Sequence, residues 1–321
     1  MSQKKRLFVT RHLPPDVEAR AARDYDATLN PEDRLFTTDE IVAAAQDHDA
    51  LLVCVTDKLP REAIMALPER LGVIATFSVG TDHIDLKAAR ERGIRVGSAP
   101  HGVTIATAEI AMLLILGAAR RAPEGEQMMR SRSWQGWGPL QLLGRRLDGK
   151  RLGIVGLGKI GQALAQRARG FDMEIHYHNR RRLPPDQEKG AIYHATLEGL
   201  LAVSDVLSLN APATAETRHV LNARTLGLLP KGAIVVNTAR GDLVNDDDLV
   251  AALSSGQVGY AGLDVYQGEP RIDPRYYGLP NTFLLPHLGS GAIEARNQMG
   301  FEALDNVDAF FAGRELPFPV V

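Results

Sequence analysis

Arg240, Glu269 and His287 each stand past the C-terminal end of a short apolar run: Ala233–Thr238, Gly259–Tyr266 and Thr282–Leu285. Short apolar runs bounded by Gly, Pro or charged residues predict buried parallel strands. In an open α/β sheet, ligands bind beyond the carboxyl ends of the strands. A cation, a carboxylate and an imidazole at one such rim are the groups needed to reduce a carbonyl beside a carboxylate. The guanidinium of Arg240 can grip a planar 2-oxo-acid. A carboxylate such as Glu269 next to His287 lifts the imidazole above its ordinary pKa of roughly 6.5, which suits a proton donor near neutral pH. Taken singly, each residue keeps another reading. Arg240 could pair with Asp242 at the surface, His287 could be structural, and Asp264 in Gly262-Leu-Asp-Val could be an N-cap or a loop anchor.

A second constellation is Leu152-Gly-Ile-Val-Gly156-Leu-Gly158-Lys159-Ile160-Gly161, a strand followed by G-x-G-x-x-G, with a helix expected over Gln162–Arg169. Gly156 permits the tight turn, Gly158 lets backbone approach a pyrophosphate, and Gly161 lets helix and strand pack closely. In this strand-to-helix context the motif is specific for a dinucleotide. The next strand, Met173–Tyr177, leads into His178-Asn179-Arg180-Arg181-Arg182. An NAD-specific site usually has an acidic residue here to hold the ribose 2′-hydroxyl. Without it a 2′-phosphate is not repelled, and guanidinium groups can bind it in bidentate fashion. NADP(H) is therefore the expected preference over NAD(H), against the alternative that the arginines form a solvated turn.

The elements that must carry these residues alternate. Strand-like Leu7–Thr10, Ala50–Val55, Gly72–Phe77 and Ile94–Gly97 interleave with helix-like Pro15–Asp24, Thr38–Ala45, Arg61–Ala66 and Leu86–Arg92. That alternation predicts βαβ units and a parallel sheet. A second series adds Arg151–Val155 and Val206–Asn210 to the strands already named, and a last helix runs from about Ala292 to Phe311. The prediction is two α/β, doubly wound parallel-sheet domains, a Rossmann-type cofactor domain over 101–287 and a flavodoxin-like substrate domain over 1–100 plus 288–321. An interdomain cleft would hold the site, with hinges near Ala99–Gly102 and Pro286–Gly291. Thr104–Arg121 is the most hydrophobic helix. Its apolar residues cover almost the whole circumference, so it is expected to be buried all round, in a domain core, between domains or between subunits. Arg130–Gly144, with Trp134 and Trp137, is irregular and too aromatic for a disordered linker; packing against something is expected.

The bulk properties narrow the function. The chain has 321 residues, 45% hydrophobic and 24% charged, with a formal net charge of −2, which gives no electrostatic argument for nucleic acid or an anionic membrane. Cys54 is the single cysteine, in keeping with a reducing compartment. The longest apolar stretch, Ile110–Ala119, is far short of a membrane span. A soluble, cytoplasmic protein without a metal is expected.

Gly156–Gly161, Asn237–Asp242, Ala261–Pro270 and Pro286–Ser290 together resemble the D-isomer-specific 2-hydroxyacid dehydrogenases, over nearly the whole chain. Phe77-Ser-Val-Gly-Thr-Asp-His-Ile-Asp85 is similar to a motif of that family's substrate domain. Trp134-Gln-Gly-Trp137-Gly-Pro-Leu and the Asn179-Arg180-Arg181 loop resemble the glyoxylate/hydroxypyruvate reductases. The resemblance implies His287 as general acid/base, Glu269 as its partner and Arg240 as the clamp on the 2-oxo-acid. It implies backbone amides of Val79 and Gly80 on the substrate carboxylate. Cofactor contacts are implied for Gly158, Lys159, Ile160, Asn179, Arg180, Arg181, Pro212, Thr238, Asp264 and Gly289. It further implies a homodimer built on the long apolar helix, with Trp137 reaching the neighbour's site. Reduction of glyoxylate or hydroxypyruvate by NADPH is the leading expectation. A bulkier 2-oxo-acid or 2-ketogluconate is the nearest alternative, and a dinucleotide-gated corepressor of the same fold is a reading from a different class.

Overall fold

In the computed structural model, which describes residues 4–321, the chain divides into two compact units. One runs to Val103 and resumes over Ser290–Val321; the other is Thr104–Gly289. The changes fall slightly beyond 100 and 287, because the long helix begins at Val103 and Gly289 is tied to Asp264 and Thr107 of the second unit.

The first unit is a sheet of β1 (Arg6–Val9), β2 (Asp26–Thr28), β3 (Ala50–Val53), β4 (Val73–Thr76) and β5 (Arg95–Gly97), all parallel, in the order β2-β1-β3-β4-β5. Every residue of β3 and β4 is buried, as a sheet covered on both faces requires. One face packs under Ile41, Ile64 and Ala88. The other packs under Val17 and Ala21 of the helix Pro15–Asp24 and Ala303, Leu304 and Val307 of Ile293–Phe311. The edge strand β2 was not legible in sequence. It has three residues with no apolar run, and the β1 register alone extends it.

The second unit is a seven-stranded parallel sheet of β6 (Arg151–Val155), β7 (Glu174–His178), β8 (Ile192–Tyr193), β9 (Val206–Leu209), β10 (Ala233–Asn237), β11 (Val258–Leu263) and β12 (Thr282–Leu284). Its order is β12-β11-β10-β9-β6-β7-β8. Strand order reverses between β6 and β9, which is where such sheets bind ligands. In β10, β11 and β12 the last residues are in register, Asn237 beside Leu263 and Leu263 beside Leu284. The three loops that leave these strands therefore emerge at one rim of the sheet.

Two stretches leave apolar surface exposed within this chain. The helix Val103–Ala119 is buried over most of its surface, but Ile105 and Leu113 are about half exposed. With Glu109 they stand four residues apart, so they form one stripe along the helix. A further helix, Ala122–Arg130, comes next at 74° to the first. Its polar residues bury nothing, so no periodicity announced it. The stretch after it contains no regular element, and Trp137 and Leu140 are more than 80% exposed within this chain. Among the described residues no single helix is long and apolar enough to cross a membrane.

Leu114 is fully buried, and its Cβ lies 2.9 Å from where a Cβ on Gly262 of β11 would stand. Leu114→Ala is expected to lower the unfolding free energy by about 2–5 kcal/mol, read by urea titration. Leu114→Met, which conserves volume, should cost less than about 1.5 kcal/mol.

Candidate active site

The loops after β10, β11 and β12 fold by side chains of the strand ends themselves. Asn237, buried, accepts from Ala239 N–H at 3.0 Å and donates to Arg240 C=O at 2.8 Å, curling the loop that presents Arg240. Arg240 NH1 donates to Ala239 C=O at 2.7 Å. Gly241 is required next, because a Cβ there would stand 1.9 Å from the Tyr266 carbonyl carbon. That contact presses the Arg240 loop onto the backbone leading to Glu269. Tyr266 N–H donates to Glu269 Oε1 at 2.8 Å, and its hydroxyl lies 2.9 Å from both Leu263 O and Leu285 O, bridging the ends of β11 and β12.

His287 Nδ1 lies 2.8 Å from Glu269 Oε2. A carboxylate only accepts, so Nδ1 carries the proton and Nε2 is left for chemistry. His287 has φ +55°, a left-handed conformation that costs a non-glycine residue on the order of 1–3 kcal/mol. Asp264 holds it there. The Asp264 carbonyl accepts from His287 N–H at 2.9 Å, and its carboxylate accepts from Leu288 N–H at 2.6 Å and Gly289 N–H at 2.7 Å. Asp264 is fully buried, so of its two sequence readings the loop anchor is the one observed.

The charges act on one another. Burial disfavours the Glu269 carboxylate, but the hydrogen bonds from His287 and Tyr266 N–H outweigh it and hold the group below the ordinary carboxylate range, helped by the Arg240 charge. His287 is raised above its ordinary value, first by the Glu269 hydrogen bond, against burial, with the Asp264 charge adding and Arg240 opposing. Burial pushes Asp264 up against the two amides and the His287 charge. Arg240 is felt at both Glu269 and His287, so the cation, the carboxylate and the imidazole share one field.

The glycine loop after β6 fits a dinucleotide. Gly156 has φ +96°, and a Cβ there would stand 2.9 Å from Asn210 and Ala211 backbone. Gly161 approaches Gly156 O so closely that a Cβ would be 2.5 Å away. At Gly158 a Cβ would meet no protein atom within 4 Å, so internal packing does not explain the glycine. The helix Lys159–Arg169 begins there without a side-chain cap or an acidic first turn, leaving its amides to an anion. Ile160 lies in that first turn. Asn179 Oδ1 accepts from Leu157 N–H at 2.7 Å and holds the loop from the β7 side. At the ends of β9 and β10, buried Asn210 Oδ1 and Thr238 Oγ1 have no partner among the described residues. Asn210 was missed in the sequence, although its signal, a polar residue closing the run Val206–Asn210, is the one that marked the others. Pro212 is exposed in the next loop, its carbonyl held by Thr217 Oγ1 at 2.7 Å.

The three arginines after β7 separate. Arg182 is held by Glu188 at 2.8 and 3.0 Å, whereas Arg180 and Arg181 are exposed and make no side-chain hydrogen bond among the described residues. In the first unit, Val79 and Gly80 follow β4, and no hydrogen bond among the described residues uses their N–H groups.

Residues 112–289 match the family model described as the D-isomer-specific 2-hydroxyacid dehydrogenase NAD-binding domain. The chain is 53% identical to the glycerate dehydrogenase of Hyphomicrobium methylovorum over 317 residues, 98% of each protein. It is 39% identical to the glyoxylate reductase of Thermococcus litoralis, over 98% of this chain and 96% of that one. The NADPH-dependent glyoxylate/hydroxypyruvate reductase of Sinorhizobium meliloti, solved with NADP and malonate, superposes with a TM-score of 0.88 at 33% identity, covering 99% and 97% of the two chains.

The raised His287 pKa has a direct check. Glu269→Gln removes its largest cause, and burial then acts unopposed by a carboxylate partner. NMR titration of His287 is expected to show an imidazole that deprotonates at distinctly lower pH than in the wild type.

Proposed function

The chain belongs to the D-isomer-specific 2-hydroxyacid dehydrogenase family, and from that premise we propose that it reduces small 2-oxo-acids, glyoxylate to glycolate and hydroxypyruvate to D-glycerate, with NADPH preferred. The protein is an oxidoreductase that uses a nicotinamide dinucleotide. The observation that carries the finer reading is the His287–Glu269 pair beside Arg240, at 2.8 Å with the imidazole pKa raised.

The bound nicotinamide supplies the hydride for C2 of the substrate. The remaining work falls to the chain. His287, protonated at Nε2, donates that proton to the carbonyl oxygen. Glu269 keeps Nδ1 protonated and the ring oriented. Arg240 pairs with the carboxylate and holds the developing oxyanion, an electrostatic role worth several kcal/mol in other enzymes. The amides of Val79 and Gly80 take the substrate carboxylate. Asp264 and Gly289 act through the loop that carries His287, and Thr238 and Asn210 offer polar atoms at the sheet rim.

The NADPH preference is supported by Arg180 and Arg181, which make no side-chain hydrogen bond among the described residues, and by Asn179 standing where a carboxylate would repel a 2′-phosphate. A homodimer is part of the same reading. The Ile105–Leu113 stripe and the exposed Trp137 and Leu140 leave apolar surface that a second copy would cover, with Trp137 contributing to the neighbour's substrate site. A cytoplasmic setting accords with the free, buried Cys54.

Because reduction requires protonated His287, kcat for glyoxylate is expected to be maximal below the raised His287 pKa and to fall as pH rises through it; Glu269→Gln should move that fall to lower pH. His287→Ala should abolish turnover while NADPH binding, followed by fluorescence, stays near wild type. Retention of wild-type kcat would refute the assignment. Arg180→Ala with Arg181→Ala should raise the KM for NADPH at least about ten-fold more than that for NADH, the size of a lost charge-assisted pair. Arg182→Ala, already committed to Glu188, should not discriminate between the two. Equal effects of the double variant on both cofactors would remove the basis for NADPH preference.

A further inference from the structure

Beneath the Val79–Gly80 loop lies a chain of buried side chains that the reaction does not use. Thr76 Oγ1 is 2.9 Å from His83 Nε2 and 2.7 Å from Ser78 Oγ, and Ser78 Oγ donates to Gly80 C=O at 2.7 Å. Thr76, Ser78 and His83 are each less than 7% exposed. The direction of this chain comes from counting protons. A hydroxyl has one hydrogen to give. Ser78 gives its hydrogen to Gly80, so Ser78 must accept from Thr76. Thr76 has then spent its own hydrogen and must accept from His83 Nε2–H. One arrangement satisfies both hydroxyls: His83 Nε2–H to Thr76 O–H to Ser78 O–H to Gly80 C=O. A buried polar chain that is fully satisfied is rigid, and breaking one link leaves buried groups unpaired.

The backbone answers to this chain. Ser78 C=O accepts from Ala99 N–H at 2.8 Å. Across a planar trans peptide the next N–H points the opposite way, so the Val79 amide is turned away from Ala99. Holding the Gly80 carbonyl inward fixes the other end of the same loop. Between these two anchors stand the N–H groups of Val79, 43% exposed, and Gly80, partly exposed, with no partner among the described residues. Loops normally satisfy such donors with their own turns or with water. Here the buried chain spends three polar side chains on fixing a loop whose amides stay open.

We propose that Ser78, Thr76 and His83 are positioning residues that hold the Val79 and Gly80 amides in the geometry that receives the carboxylate of a small 2-oxo-acid. The inference rests on the reading of this protein as a 2-oxo-acid reductase. It assigns substrate affinity to a hydrogen-bond chain in the first unit, apart from both the proton donor and the dinucleotide loop.

The test is a set of three variants measured in the full chain. Ser78→Ala removes the last link. Thr76→Val removes the middle link at nearly constant shape, and Thr76→Ser restores it. Ser78→Ala and Thr76→Val are expected to raise the KM for glyoxylate roughly ten-fold, the effect of one lost hydrogen bond. Their kcat should stay within about two-fold and their KM for NADPH should be unchanged, the pattern of lost uniform binding. Thr76→Ser should be close to wild type. NADPH binding to the second unit, by fluorescence, reports that each variant is folded. A wild-type glyoxylate KM in Ser78→Ala would overturn the proposal, as would a Thr76→Ser variant as impaired as Thr76→Val, or a parallel rise in both KM values. Calorimetry with malonate separates this from the reaction assignment. If the wild type reduces neither glyoxylate nor hydroxypyruvate but binds malonate, and Ser78→Ala weakens that binding, the reaction assignment fails and the positioning chain stands. A wild-type protein that binds no malonate overturns the positioning chain.

Discussion

The second unit is organised around one buried carboxylate. Asp264 stands directly after β11, fully buried, and its carboxylate and carbonyl oxygens accept from the loop after β12. Burying a carboxylate is costly unless it is hydrogen-bonded. Two charge-assisted bonds from backbone amides, each about 1.5–3 kcal/mol, offset that cost and the left-handed strain at His287. The strain is informative. A histidine is held where glycine would sit more easily, so the position serves the imidazole and not the turn. Remove the anchor and His287 loses both its backbone conformation and one of the negative charges that keep it protonated.

The anchor works only because the sheet has placed its neighbours. Register sets Asn237, Leu263 and Leu284 side by side, and the three loops then exchange backbone contacts before any functional side chain is considered. Gly241 against Tyr266 is the tightest of these. It has no room for a Cβ, so the Arg240 loop and the Glu269 loop are fixed relative to one another by backbone. Tyr266 adds a second tie, amide to Glu269 and hydroxyl to the ends of both β11 and β12. The pair Glu269–His287 is thus supported from two strands, and the guanidinium of Arg240 enters from a third.

Much of this was legible in the sequence, and the pattern of what was not has physical causes. Buried strands such as Ala50–Val53 and Arg151–Val155 announce themselves as apolar runs because both faces of a parallel sheet are covered. The edge strands Asp26–Thr28 and Ile192–Tyr193 carry no such signal, since neighbours rather than burial define them. The helix Ala122–Arg130 was hidden because it buries no residue. Arg240, Glu269 and His287 were found by their place after apolar runs, yet Glu269 lies six residues beyond the end of β11. The run Gly259–Tyr266 overshoots the strand, and the residue truly at its end is Asp264. Three arginines in a row looked equivalent in sequence. Only the fold shows that Glu188, itself buried, has taken Arg182 and left the other two. The proton order through His83, Thr76 and Ser78 needed distances that no spacing rule supplies.

The labour of the site is divided in a way that bears on how it could change. His287, Glu269, Arg240 and the glycine loop all belong to the second unit, and the first three lean on one another through Asp264, Gly241 and Tyr266. A substitution there disturbs several groups at once, because they share backbone contacts and one electrostatic field. In the first unit the Val79–Gly80 loop is tied by a hydrogen-bond chain of its own through Ser78, Thr76 and His83. Hydrogen bonds act over short distances, whereas the charges of Arg240, Glu269 and Asp264 are felt at His287 through space. A change in the Ser78–Thr76 chain therefore acts locally on the loop it ties, whereas a change at Arg240, Glu269 or Asp264 also moves the His287 pKa.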